Sequence, residues 1–452
     1  MIEKIIIFFL ILPLLLFSFY IFARRNYFEF NAFEIFVIFF TIYFALVPMD
    51  HLLGLSIREH SSFLSLNFDQ YHNASSVRLI KAILMYLYFF IFVLFGYLFL
   101  KVTLEDKVNP KVTNDEVVYE RFFIPSPRLL FLINIGVLYY YVSTDLEAIS
   151  KNLELASSLK QVRTQVGLNI DSSYRLFSFI SNLFVTFNTV IIIVARNKKL
   201  TTIALTSIII MALYMGDRST IFIAFFIALL VHKPKIHLVK SMTAIIGVML
   251  LFIFFKPTYN FVVADLAGKD HLSLSESFAQ IDFSLSRIEG LSPYEVIITV
   301  MDDDSKKIRY GESYLVTMPK IILPGSIYKS DEETLAVEFK KVYAQSSMGY
   351  FGFSPIAEAL LNFGLIGQLV IGTLFGMYLF FVASMRVGLF YYLNIMFIIR
   401  FFRTDFASLA KRYFMVESTA LIISVVILVS LYYIIQILKT KNQSTNPEQR
   451  AA

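Results

Sequence analysis

The sequence predicts an all-α protein that crosses a membrane many times, and two observations carry that prediction. Hydrophobic residues make up 57% of the 452 positions and charged residues only 16%, whereas a soluble domain carries about 25% charged residues. The apolar residues are also gathered into runs of roughly bilayer length. Charged turns and loops separate these runs, the longest of them a polar segment from Lys256 to Tyr350. Apolar runs of this kind form transmembrane helices, because a helix satisfies every backbone polar group internally.

Eleven runs fit the description, with cores near 5–22, 33–47, 82–100, 129–142, 176–195, 200–215, 219–231, 241–255, 354–385, 387–403 and 417–438. The chain is then read as eight spans within 1–255, a large loop over 256–353, three spans within 354–438 and a polar tail over 439–452. The first run is followed by Arg24-Arg25 and by no small-residue cleavage site, so it reads as a span rather than a cleavable leader. Several cores are shorter than the usual ~20 residues, and flanking Lys and Arg can snorkel to extend them.

One decision sets the topology. Residues 200–231 form either one long helix or two short ones broken at Gly216-Asp217-Arg218-Ser219. A single helix buries two charges in mid-membrane, at about 2.5–3.5 kcal/mol each. A hairpin avoids this and places the basic clusters Arg196–Lys199 and Lys233–Lys235 on one face, so a hairpin is expected. Alternation puts Arg24-Arg25, both of these clusters and the tail on the cytoplasmic side. Asp217-Arg218, the 256–350 loop and Arg403–Arg412 fall on the outer side.

The large loop has its own punctuation. Ser292-Pro293-Tyr294-Glu295 opens a helix-like run to Met301, and Ser330-Asp331-Glu332-Glu333 has capping-box spacing before a second one to Ala344. Between them, 318–325 is apolar and turn-rich and reads as an interfacial segment. The loop ends in Gly352-Phe353-Ser354-Pro355, then Glu358, then Asn362-Phe363-Gly364, so it delivers one carboxylate to the mouth of a charge-free helix.

Composition also excludes chemistry. There are no cysteines, which removes disulfides, iron–sulfur clusters and thiolate zinc sites. The net charge of +6 is carried by loops and not by a soluble basic domain, so nucleic-acid binding is not expected. No phosphate-binding loop, nucleophile elbow or zinc-protease helix occurs. His51, His60 and His72 are widely and irregularly spaced, and Asp302-Asp303-Asp304 reads as a solvated turn, so no metal and no cofactor is expected.

An outward-facing membrane enzyme has no nucleotide-activated donors, and the activated groups it meets hang on lipid phosphates. Recognising a pyrophosphate calls for arginine, whose planar fork matches phosphate oxygens and stabilises charge on a leaving pyrophosphate. Arg218 at the hairpin tip is either such a group or a turn residue paired with Asp217. Arg403 is either such a group or a juxtamembrane anchor, and Arg287 either such a group or a surface arginine. Glu295 and Glu358 are the candidate carboxylates for deprotonating a hydroxyl, although Glu358 also suits a helix N-terminus.

Several motifs recur in an order that resembles the Wzy-type oligosaccharide repeat-unit polymerases, most of all the enterobacterial common antigen branch. They are Arg24-Arg25 with Phe28-Glu29-Phe30-Asn31, Gly216-Asp217-Arg218, Arg287 with Ser292-Pro293-Tyr294-Glu295, and Gly311-Glu312-Ser313-Tyr314 leading to Pro319-Lys320 and Leu323-Pro324-Gly325. The Gly-Phe-Ser-Pro…Glu…Asn-Phe-Gly pattern ending at Gly367 and Arg403-Thr404-Asp405 complete the set. The resemblance implies a GT-C-like glycosyltransferase architecture with a large periplasmic loop in the bacterial inner membrane. The activity it implies is metal-independent transfer of a glycan from undecaprenyl pyrophosphate to the non-reducing end of a second lipid-linked repeat unit. Arg403, Arg218, Glu295 and Glu358 would form the catalytic set, with Arg287, Lys320, Tyr314, Asp405 and Arg412 along the pyrophosphate and glycan. Expected partners are the lipid-linked donor and acceptor, membrane lipid, a Wzz-type chain-length regulator and a flippase.

Two rival readings remain. An O-antigen ligase uses the same donor, but a loop histidine is expected there, and the large loop holds only His271, far from any motif. A lipid-linked oligosaccharide flippase or other transporter predicts an internal repeat and intramembrane charges, and no repeat is visible.

Overall fold

The computed structural model describes residues 2–27, 30–53, 76–104, 122–150, 172–195, 197–215, 218–232, 308–315, 353–385, 388–402 and 404–444, with a few single residues of the long loop and its approach. The helices among them are α1 (Ile2–Ala23), α2 (Ala32–Leu53), α3 (Ser76–Leu104), α4 (Pro127–Ser150), α5 (Ser172–Ala195), α6 (Lys198–Met215) and α7 (Arg218–Val231). After the loop come α8 (Pro355–Ser384), α9 (Leu389–Arg400), α10 (Phe406–Lys411), a π-helical turn (Arg412–Glu417) and α11 (Ser418–Ser444). No strand occurs among the described residues.

Among the described residues, six runs are long and apolar enough to cross a membrane, namely Ile2–Ala23, Ala32–Leu53, Val77–Leu104, Lys198–Met215, Pro355–Ser384 and Phe406–Leu438. Phe179–Ala195, Thr220–Val231 and Leu389–Arg400 are apolar but shorter. The chain is therefore an all-helical, membrane-embedded protein. The expected span at 241–255 lies almost wholly outside the described residues. The chain breaks between Met215 and Arg218 into two helices that pack on one another, as the cost of two mid-membrane charges requires.

The last span differs from expectation. Residues 403–412 were read as a loop because of their charges, yet the helix already starts at Phe406. Asp405 is its N-cap and accepts from the Ser408 N–H at 2.7 Å, so the helix begins well before the apolar run does.

Two compact units interleave along the sequence: Met1–Pro110 with Lys233–Met415, and Lys111–His232 with Val416–Ala452. In the first unit, α1 and α2 form an antiparallel hairpin. Thr41 gives its proton to the Val37 carbonyl at 2.8 Å, so Ser18 donates to Thr41 at 2.6 Å. An aromatic core fills the centre of this unit. Phe36, Phe40 and Phe44 of α2 meet Tyr86 and Phe90 of α3, Phe375 of α8 and Phe402. The helices α3 and α8 pack so closely that glycine is required. A Cβ on Gly96 would meet the Thr373 carbonyl and one on Gly376 the Val93 carbonyl, while one on Gly372 would come to 3.0 Å from the Phe89 oxygen. Small residues at such spacings let membrane helix backbones approach.

In the second unit, α4, α5 and α6 are tied by buried polar side chains. Asn134 donates to Asn188 at 2.8 Å and to Ser207 at 2.9 Å, and Asn188 donates back to Asn134 at 3.2 Å. Thr201 of α6 and His232 beyond α7 are bonded at 2.9 Å. An apolar cluster of Tyr141, Phe184 and Met211 lies alongside.

Candidate functional site

The first unit brings three sequence-distant segments together around Glu358. The first is α8 itself. Ser354 and Pro355 start it as a cap residue followed by proline at the first helical position. The Ser354 hydroxyl accepts from the Ala357 N–H at 3.3 Å, and Glu358 lies in the first turn. The helix then breaks at Gly364, whose φ of 61° and ψ of −145° are open to glycine and hardly to other residues. Gln368 donates to the Ile356 carbonyl at 3.5 Å across this break. Twelve residues of straight helix would hold those groups about 18 Å apart. The short helix over 355–363 therefore folds back beside the long one over 365–384, and the latter alone is about as long as the hydrocarbon core is thick. Glu358 rides on the short piece.

The second segment is 308–315 of the large loop. Tyr310 and Gly311 both adopt positive φ, 46° and 85°, and this turn lays the loop against the short helix. The Arg309 N–H donates to the Leu361 carbonyl at 3.2 Å, which satisfies one of the acceptors a helix end leaves open. The Tyr314 ring stacks on Phe363 with centroids 6.1 Å apart. A Cβ on Gly311 would lie 2.6 Å from the tip of the Phe363 ring, so glycine makes room for the contact.

The third segment is 401–406. Phe401 stacks on Phe375 at 4.0 Å and Phe402 on Tyr43 at 5.2 Å, so two aromatic anchors hold the chain just before Arg403. Phe406 holds it just after, edge-on to Tyr314 at 5.6 Å.

At the junction, the Ser313 hydroxyl donates to Glu358 Oε1 at 2.9 Å, and the Phe406 N–H donates to Glu358 Oε2 at 2.7 Å. Asn362, one turn on from Glu358, donates to Ser313 Oγ at 2.7 Å and to the Glu358 carbonyl at 2.9 Å. Glu358 is 1% exposed and Asp405 is 1% exposed. Asp405 uses one oxygen as the helix cap; its Oδ2 is buried with no hydrogen-bond partner among the described residues. The site is rich in acceptors and carries two carboxylates. Burial, together with the adjacent Glu358 carboxylate, pushes the Tyr314 phenol above its ordinary range, so Tyr314 stands as a neutral hydroxyl.

Of the residues expected to act, Glu358, Tyr314 and Asp405 come together here. Arg412 lies half-buried in the π-helical turn of the same unit. Arg218 is the first residue of α7, in the second unit. Arg403, Arg287, Glu295 and Lys320 lie outside the described residues, as do the expected helices of the large loop apart from single positions. Sequence reasoning gave Ser313 and Asn362 no role beyond membership of their motifs and did not single out the Phe406 N–H. Asn362 was open to it, since it shares a helix face with Glu358 at a spacing of four. No group of three or more metal-ligating side chains occurs among the described residues.

No protein-family model, curated protein or solved structure matches the chain.

Proposed function

We propose that the chain is a Wzy-like polymerase acting on undecaprenyl-pyrophosphate-linked repeat units at the outer face of a bacterial inner membrane. The observation that supports this reading is the junction at Glu358. The Gly311–Tyr314 motif and the Ser-Pro…Glu…Asn motif, related in sequence only by the resemblance, are bonded to one another within 3 Å, and the Phe406 N–H, next after the Arg403-x-Asp405 motif, bonds Glu358 at 2.7 Å. In this reading the acceptor hydroxyl oxygen forms a bond to the anomeric carbon of the donor glycan. The bond from that carbon to the pyrophosphate breaks, and the pyrophosphate leaves with the electron pair. Arg403, with Arg287, holds the departing charge.

Glu358 is shielded and both of its oxygens accept hydrogen bonds, which suits a positioning residue that fixes the segment carrying Arg403. The acceptor's proton then goes to Glu295. Asp405 Oδ2, buried and without a partner among the described residues, suits a guanidinium.

The test is in vitro polymerisation of purified lipid-linked repeat unit, with EDTA present, by wild type and Arg403→Ala. A ladder in wild type that is lost in the variant is expected. A ladder that survives in Arg403→Ala discards the site and keeps the reaction. Substrate bound without a ladder in wild type turns the reading to the ligase or the transporter.

A further inference from the structure

The arginine pair after α1 takes no part in the reaction proposed above. We propose that Arg24 and Arg25 bind the phosphate of an anionic phospholipid, with its acyl chains along the outer face of α1. The inference does not depend on the polymerase reading.

The pair follows directly on a membrane-crossing helix, so it sits at headgroup level. Both guanidiniums converge on Glu34. Arg24 bonds Oε1, and Arg25 Nη2 reaches Oε1 at 2.9 Å and Oε2 at 3.1 Å. Glu34 is itself held fast. It is 3% exposed and closes a reciprocal cap with Asn31: the Asn31 N–H donates to Glu34 Oε2 at 2.9 Å, and the Glu34 N–H donates to Asn31 Oδ1 at 2.9 Å. Arg25 alone therefore covers both carboxylate oxygens, and a purely structural bridge needs no second arginine. With both present, two positive charges meet one negative charge among the described residues. No other carboxylate among the described residues is paired with either arginine.

The surplus is accessible and preorganised. The Arg24 side chain is 43% exposed and lies over the Tyr20 ring at 5.6 Å, while that of Arg25 is 29% exposed. Arg25 Nε is buried with no acceptor among the described residues. Guanidiniums carry five donors in a fixed fork, and phosphate is the oxyanion of membrane headgroups that fits this fork. The chemistry alone does not separate a lipid phosphate from a free one. The surface below it does: Phe9, Leu16, Phe19 and Tyr20 of α1 are all exposed, so an apolar track leads away from the cations along a helix that crosses the membrane. A diacyl lipid matches both parts, and inorganic phosphate matches only one.

The test is native mass spectrometry of the full chain in detergent, titrated with phosphatidylglycerol and with phosphatidylcholine of the same acyl chains. Wild type is expected to favour phosphatidylglycerol. Arg24→Gln leaves the Arg25–Glu34 bridge and makes the cluster neutral. It should lose about fivefold of that preference, as expected for one cation at a lipid surface, with no change in thermal unfolding. Arg24→Lys keeps the charge and should keep the preference, which separates charge from folding. Equal binding of the two lipids by wild type overturns the proposal, as does an unchanged preference in Arg24→Gln. Displacement of phosphatidylglycerol by millimolar inorganic phosphate overturns the lipid assignment in favour of a free anion.

Discussion

At the scale of single residues, Glu358 accepts on both sides, and that decides what a substitution there does. Glutamine in its place keeps the shape but turns one oxygen into an N–H₂ group. That donor then either faces the Phe406 N–H, or faces the Ser313 hydroxyl, which can accept from it but loses the acceptor of its own proton. A buried donor left without an acceptor costs about 1–3 kcal/mol. Glu358→Gln is therefore expected to lower stability by that amount in a reversible unfolding measurement and to reduce polymerisation strongly. Ser313→Ala should show a smaller loss, since Phe406 still holds Oε2. If the two variants together cost the sum of the two alone, the bonds do not act as one network. The pairing of Glu358 with Asn362 was legible from their spacing of four on a helix. The pairing with Ser313 was not, because 45 residues separate the two and no periodic pattern links a loop hydroxyl to a helix carboxylate.

At the scale of elements, the run 354–385 was read as one uninterrupted span, and it is two helices joined at Gly364. The composition of the run gives no sign of the break, since every residue on either side is compatible with membrane helix. The sign is a glycine whose backbone angles a helix does not use. Alanine at Gly364 meets no serious steric obstacle in space but must adopt a conformation that costs about 1–3 kcal/mol. At Gly376 the obstacle is space itself, because any side chain runs into the Val93 carbonyl of α3. Gly376→Leu is thus expected to separate α3 from α8 and to lower the unfolding midpoint more than Gly364→Ala does. A Gly376→Leu variant with wild-type unfolding in the same detergent would show that the close approach is not needed.

At the scale of the whole molecule, the proposed reaction requires its segments to share a face of the membrane. The chain has no cysteine, so single introduced cysteines report without background. Asp217→Cys and Glu312→Cys are expected to react with a membrane-impermeant maleimide from the outer side of intact cells. Asn197→Cys is expected to react only after the membrane is opened. Labelling of positions 197 and 217 from the same side would undo the hairpin topology and with it the outer placement of Arg218. The helix break between Met215 and Arg218 is required by that topology and also by its mirror image, so the labelling pattern carries the orientation.

The sequence by itself determined that this is a helical membrane protein, and roughly where its helices lie. Burial in hydrocarbon forces a single secondary structure on each apolar run, so composition and run length suffice. The caps at Ser354 and Asp405 are equally local, each bonding an N–H three residues on, yet the charges of 403–412 read as a loop and hid the second. Only the tertiary structure decided that Ser313, Glu358 and Phe406 form one junction, that α8 folds back on itself, and that Arg24 and Arg25 share a single carboxylate. Each of these depends on which uniform apolar surface meets which. Between apolar helices that choice is made by shape, by glycine at the points of closest approach and by a few buried hydrogen bonds, and none of these leaves a period in the chain.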